Sequence, residues 1–253
     1  MPTLIEANLP TSWHDLQSAA CRVLQECGFD AAIDKTIETV RGPADVDIFA
    51  QDKTVPTPSV LLVECKLWKR RVSRGVVHAF RTIVTDSGAN YGLIVSSKGF
   101  QPGAYRAAGH SNVVLVDWVA FQELFCERWY QVFFVPAMRN ELDPLVEYTE
   151  PINSRVFRAA GRLSQAGQDE FRRLRLRHQQ LGVGLLPMWF PFPGVDHPVM
   201  PHLPLRDVFQ SVAALDLPAS LLDATALRPL LQAIALESRR ALSEFDSLFG
   251  GRV

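Results

Sequence analysis

The sequence predicts an α/β fold over residues 10–136, a mixed sheet flanked by helices, followed by a mainly helical region over residues 137–253. Two observations carry that expectation. Up to residue 130, apolar runs of strand length alternate with segments of helical spacing, the pattern of a layered α/β domain. Beyond Val135-Pro136 strand patterns largely vanish and arginine replaces lysine, since all five lysines (35, 53, 66, 69 and 98) precede residue 99.

The elements follow in order. Ser12 is placed to cap a helix from Trp13 to Cys27, in which Leu16, Ala19, Ala20, Val23, Leu24 and Cys27 share one face and Gly28 ends the run. Residues 29–40 read as a strand, and Arg41-Gly42-Pro43 turns the chain into a second short strand, Val46 to Ala50. A third strand, Val60 to Leu67, begins apolar on both faces, as an interior strand should. Helical spacing returns from Arg74 to Ser87 through Val76, Val77, Phe80, Ile83 and Val84. It is followed by the strand 91–97, a short helix at 103–108, the strand 113–117 and a helix from Val119 to Arg128. In the second region, helical patterns at 155–181 and 219–248 flank a proline-rich stretch, 185–204.

Composition narrows the function classes. At 253 residues, with 47% hydrophobic and 21% charged residues, the chain can bury a core without metal or disulfide staples. The formal net charge of -1 excludes a histone-like coat for nucleic acid, and neither half is basic overall. Cys21, Cys27, Cys65 and Cys126 form no CxxC pair, which fits a reduced, cytoplasmic chain. No signal peptide and no membrane span are expected. There is no GxSxG elbow and no GxxxxGK[ST] loop, and His197 and His202 near Asp196 lack a helical HxxxH pattern.

Chemistry concentrates in the strand VLLVECKLW. Glu64 and Lys66 interrupt an apolar run and, two apart, project from one face, where charges persist only when paired or bound to an ion. Asp47 sits among Val46, Ile48, Phe49 and Ala50, so an antiparallel pairing of the second and third strands would bring it to Glu64. Two convergent carboxylates are hard oxygen ligands for Mg²⁺, and Lys66 adds a positive point charge beside them. This combination suits hydrolysis of a phosphodiester. Immediately after it, Lys66, Lys69, Arg70, Arg71 and Arg74 place five basic residues in nine positions with no acid, a candidate phosphate clamp.

From the helix ending in Cys27-Gly28-Phe29, through VDIFA, LLVECKLW, the basic helix and YGLIVSSKGFQPGAYRAA to NVVLVDW, the chain resembles the Mrr-like branch of the PD-(D/E)xK restriction endonucleases. The resemblance implies a restriction-endonuclease-like sheet and a metal-dependent DNA endonuclease in bacterial restriction or anti-phage defence. It implies Mg²⁺ held by Asp47, Glu64 and the carbonyl of Cys65, with Mn²⁺ able to substitute, and Lys66 activating water. Val46 replaces the proline of the family name. The position matching the first-helix acid of many relatives is Gln17, whose amide could orient a water or ligand without supplying charge. His78 falls where relatives often carry Gln and could face the active site, or phosphate with Lys69, Arg70, Arg71 and Arg74. The C-terminal region is expected to serve substrate choice, a homo-oligomer or a defence partner. Two other readings stay open: a binding or assembly module on a silent nuclease fold, and a DNA-junction or RNA-processing nuclease.

Within the C-terminal region, Arg172, Arg173, Arg175 and Arg177 are open to nucleic-acid contact or simple solvation. Trp189, Phe190 and Phe192 are expected to pack a loop rather than stack on bases, and the stripe Leu227, Leu230, Leu231, Ile234, Leu242 and Phe245 to be core.

Overall fold

A computed structural model describes residues 3–191, 197–208 and 217–253. The chain divides into two units, Asn8–Val132 and a second that joins the N-terminal residues through Ala7 to Phe133–Val253.

The first unit is a mixed sheet between helices. Helix α1 (Trp13–Glu26) starts in a capping box, in which the Ser12 hydroxyl accepts from Asp15 N–H and the Asp15 carboxylate accepts from Ser12 N–H, satisfying two N–H groups. Strands β1 (Asp30–Thr39), β2 (Gly42–Asp52) and β3 (Ser59–Lys66) pair antiparallel, and β4 (Tyr91–Ser96) and β5 (Val113–Val116) extend the sheet in parallel in the order β1-β2-β3-β4-β5. Parallel neighbours need crossovers. Helices α2 (Arg74–Asp86) and α3 (Pro102–Ala108) provide them, and α4 (Trp118–Trp129) follows β5.

Both sheet faces are covered, which explains why β3 and β4 read as nearly continuous apolar runs. On one face Leu62, Ile94 and Val113 pack with Val77, Phe80 and Val84 of α2 and Ala104 of α3. On the other, α1 buries Leu16, Ala20, Val23 and Leu24, and α4 buries Phe121 and Trp129. Gly92 permits the close seat of α2, because a Cβ there would meet Val84 Cγ2 at 2.7 Å and Phe80 Cε1 at 2.8 Å.

The second unit is helical among its described residues. A π-helical turn (Tyr130–Phe134) leads into α5 (Val135–Thr149), followed by α6 (Ser154–Ala160), α7 (Gln165–Gly182), a 3₁₀ turn (Leu186–Met188), the single turns α8 (Leu205–Val208) and α9 (Ala219–Leu222), and α10 (Leu227–Phe249). Its core holds the stacked pair Tyr148 and Phe245, with centroids 4.6 Å apart, and the Phe171 ring edge-on to Phe245. The expected stripe on α10 is core at Leu227, Leu230, Ile234 and Phe245.

Three expectations change here. Helix α5 stands where no element was expected, because Pro136 lies in its first turn, where a missing N–H costs nothing, and Pro144 interrupts the pattern inside it. The run 155–181 is two helices, divided at residues 161–164, where the Gly161, Arg162 and Leu163 N–H groups close tight turns. The run 219–248 is likewise divided between α9 and α10. Phe192 and Asp196 lie outside the described residues.

Candidate active site

The site forms where the hydrogen-bonded ladder between β2 and β3 stops. Its last pair on that side is Ile48 with Val63, and one residue further the Asp47 carboxylate takes over, Oδ2 accepting from the Cys65 N–H at 2.6 Å. A side chain thus replaces main chain as acceptor at the fork of two strands. Glu64 lies next to this contact and forms an ion pair with Lys66, and both side chains are largely buried. Lys66 Nζ also stands 5.4 Å from the centroid of the Trp68 ring, on whose electron-rich face a cation is favoured.

Electrostatics at the fork are unbalanced. Burial raises the Glu64 carboxyl above the usual glutamate range, the hydrogen bond from Lys66 opposes this, and the negative charge of Asp47 raises it further. Two like charges held together in partly desolvated surroundings, with one ammonium for compensation, favour a divalent cation. The donor set agrees: carboxylate oxygens are hard ligands, and Mg²⁺ is commonly held by one or two carboxylates with water and substrate oxygens completing the shell. Among the described residues no cluster of three or more His, Cys, Asp or Glu side chains forms a cation site. Cys65 itself is a buried thiol, its pKa pushed far up by burial.

Gln17 of α1 is wholly buried behind the fork. Its Nε2 donates to the Asp47 carbonyl at 3.0 Å and to Asp34 Oδ1 at 2.6 Å, tying α1 to both β1 and β2.

The basic residues form a separate rim. Lys69, Arg70, Arg71 and Arg74 are exposed, as is His78 one turn into α2. The loop carrying them is tied to the β4–α3 loop: Val72 bridges Phe100, Ser97 N–H donates to the Lys66 carbonyl at 3.2 Å, and the Ser97 hydroxyl donates to the Trp68 carbonyl at 3.3 Å. Lys98, exposed beside Ser97, thereby joins the same rim.

The structure brings Asp47, Glu64, Lys66 and the main chain of Cys65 to one fork and leaves His78, expected from the sequence to face phosphate or the active site, exposed on α2. Sequence reasoning missed Asp34, Trp68 and Lys98. For Asp34 a signal existed, an aspartate in mid-strand where β-branched and aromatic residues are favoured. Lys98 gave none, since its place depends on loop-to-loop bonds. The arginines of α7 are taken up within their own unit. Arg172 pairs with Asp169, Arg173 with Glu170 and Arg177 with Glu244, and the Arg175 guanidinium lies 4.7 Å from the Phe157 ring centroid. Trp189 is buried.

A mixed five-stranded sheet flanked by helices, with two acids and a lysine at a strand fork, defines a restriction-endonuclease-like domain. Residues 9–125 match the restriction endonuclease family model Mrr_cat. Two solved structures are similar in part. A crystallised protein of unknown function, AF1548, aligns at 12% identity and TM-score 0.37 over 91% of this chain and 98% of that one. The MspJI restriction endonuclease in complex with a 27-mer oligonucleotide aligns at 21% identity and TM-score 0.29, over 46% of this chain and 28% of that one. No curated protein matches the chain. Among the described residues, no helix is long and apolar enough to cross a membrane.

Proposed function

We propose that the protein is a divalent-metal-dependent DNA endonuclease that hydrolyses phosphodiester bonds. The observation that carries this reading is the fork itself, where Asp47, bonded to the Cys65 N–H, stands beside the Glu64–Lys66 pair in a restriction endonuclease domain.

In this reading Asp47 and Glu64 hold the ion, Mg²⁺ with Mn²⁺ as a substitute, assisted by the carbonyl of Cys65. The bound ion would supply a more acidic water and charge to offset the phosphodiester oxygens. Lys66, braced between Glu64 and Trp68, orients the attacking water and offsets developing negative charge. The exposed rim of Lys69, Arg70, Arg71, Arg74 and Lys98 grips backbone phosphates without reading bases, so affinity falls steeply with salt. His78, exposed on α2, sits at the margin of that grip. We assign cleavage to residues 10–136 and substrate choice or assembly to residues 137–253. The family match supports a setting in restriction or antiviral defence.

The test is plasmid cleavage by the purified full-length protein with Mg²⁺, Mn²⁺ or EDTA, beside Asp47→Ala, Glu64→Ala and Lys66→Ala. Cleavage that needs the metal and falls at least about a hundredfold in each variant supports the reading. Cleavage in EDTA, or undiminished cleavage by the variants, overturns it, and salt-sensitive DNA binding without any cleavage points to a silent nuclease fold.

A further inference from the structure

The ladder between β1 and β2 has an irregularity at the proposed site. Its Cα pairs run from Ile33 with Ile48 to Lys35 with Val46, and the position between them, Asp34 facing Asp47, is missing. Asp34 there has φ 49°, a left-handed conformation that a side-chain-bearing residue adopts at a cost in strain and that is foreign to the middle of a strand. The kink reorients its partner strand too. Val46 and Phe49, three apart, both pack against the core under α2, whereas a regular strand would send them to opposite faces.

The kink also disturbs the hydrogen bonding. With no ladder partner at Asp34, the Asp47 carbonyl is met by Gln17 Nε2 at 3.0 Å, and the same nitrogen donates to Asp34 Oδ1 at 2.6 Å. Gln17 Oε1 is buried with no hydrogen-bond partner among the described residues. The amide is therefore oriented by the two acceptors its nitrogen meets, and a buried orphan acceptor is the accompanying cost. Strain at Asp34 and an orphan at Gln17 both converge on the main chain of one residue, Asp47.

We infer that Asp34 is a positioning residue for the Asp47 carboxylate. By accepting from Gln17 it fixes the amide that holds the Asp47 carbonyl, and this sets the rotation at which Asp47 Oδ2 meets the Cys65 N–H. The inference rests on the reading of Asp47 as a metal-holding acid. Asp34 itself is exposed and does not touch the reacting groups; its effect reaches them through Gln17 and Asp47.

The experiment compares full-length wild type, Asp34→Gly and Asp34→Asn by three measurements: thermal midpoint, hydrogen exchange at the Cys65 amide without metal, and the Mn²⁺ concentration giving half-maximal plasmid cleavage. Glycine takes φ 49° without strain, so Asp34→Gly keeps or raises the thermal midpoint. The same variant exchanges the Cys65 amide faster and needs about ten times more Mn²⁺, the order expected when a supporting partner of a metal ligand is lost. Asn tolerates the left-handed region and keeps an Oδ1 acceptor, so Asp34→Asn recovers most of both losses. Wild-type exchange and Mn²⁺ dependence in Asp34→Gly overturn the inference, as does an Asn variant no better than the Gly variant. If the wild type shows no Mn²⁺-dependent cleavage, the nuclease reading fails, and the Cys65 exchange rates still decide whether Asp34 positions Asp47.

Discussion

Gln17 shows how one atom can change the meaning of a position. The family resemblance places an acid there in many relatives, which suggests that Gln17→Glu would restore a missing charge. The structure argues the reverse, because the Gln17 nitrogen donates to a carboxylate and a carbonyl. Glutamate would present oxygen to both acceptors in a buried setting. Gln17→Glu is expected to lower stability by about 2 kcal/mol in urea unfolding at pH 7 and to weaken Mn²⁺-dependent cleavage, since a buried unsatisfied pair replaces two hydrogen bonds. A variant of unchanged stability with higher activity would show that the charge matters more than the donor. Asp47, Glu64 and Lys66 were legible in the sequence because charges inside apolar strands are costly and so stand out. Asp34 was much less so, because its strain is a backbone angle imposed by pairing with a strand that comes later in the chain.

At the scale of elements, α4 is fastened to the turn between α1 and β1 and to the end of β2 by a single side chain. Arg128 Nε donates to the Cys27 carbonyl at 2.7 Å, Nη1 pairs with Asp52 Oδ2 at 2.5 Å, and the guanidinium lies 4.3 Å from the Phe29 ring centroid. The Asp52 side chain is only 6% exposed, and the hydrogen bond from Arg128 holds its carboxyl well below the usual carboxylate range. Because the folded pKa lies below the unfolded one, near 3.8, the stability this pair contributes is complete above that value and is lost as the pH falls through it toward the folded value. Arg128→Ala is therefore expected to cost about 2–4 kcal/mol at pH 7, less than full burial would imply because the arginine is partly solvated, and the gap from wild type should narrow by pH 3. Equal gaps at both pH values in urea titrations would count against the ion pair as the cause. The succession of β1 to β5 with α1 to α4 could be read from the sequence, because apolar runs of strand length alternate there with segments of helical spacing. Helix α5 could not, since its prolines carry the ordinary signal for a helix end, and the breaks within 155–181 and 219–248 fall inside runs whose apolar spacing continues.

At the scale of the molecule, the N-terminal residues pack far from their sequence neighbours. Helix α10 begins at Ala226 without a side-chain cap, and its Leu227 and Arg228 N–H groups donate instead to the Leu4 and Ile5 carbonyls at 2.8 and 2.9 Å. Ile5 is fully buried, and Arg228 Nε pairs with Glu6 at 2.7 Å. The N-terminal segment thus supplies what a capping residue would have. Deleting residues 1–7 is expected to speed amide exchange in the first turns of α10 and lower the stability of its unit, while amides of β3 and β4 keep their protection. Loss of protection in the sheet instead would show that the two units do not respond separately. Alternating periods, a capped first helix and costly charges in apolar strands are local properties, and by themselves they determined the layered α/β class, the acids and lysine of the candidate site and the basic segment after it. Tertiary structure alone decided the kink at Asp34, the bridge through Gln17, the addition of Lys98 to the basic rim and the joining of the first residues to α10. Each of these depends on hydrogen bonds between segments remote in sequence, which no local pattern encodes.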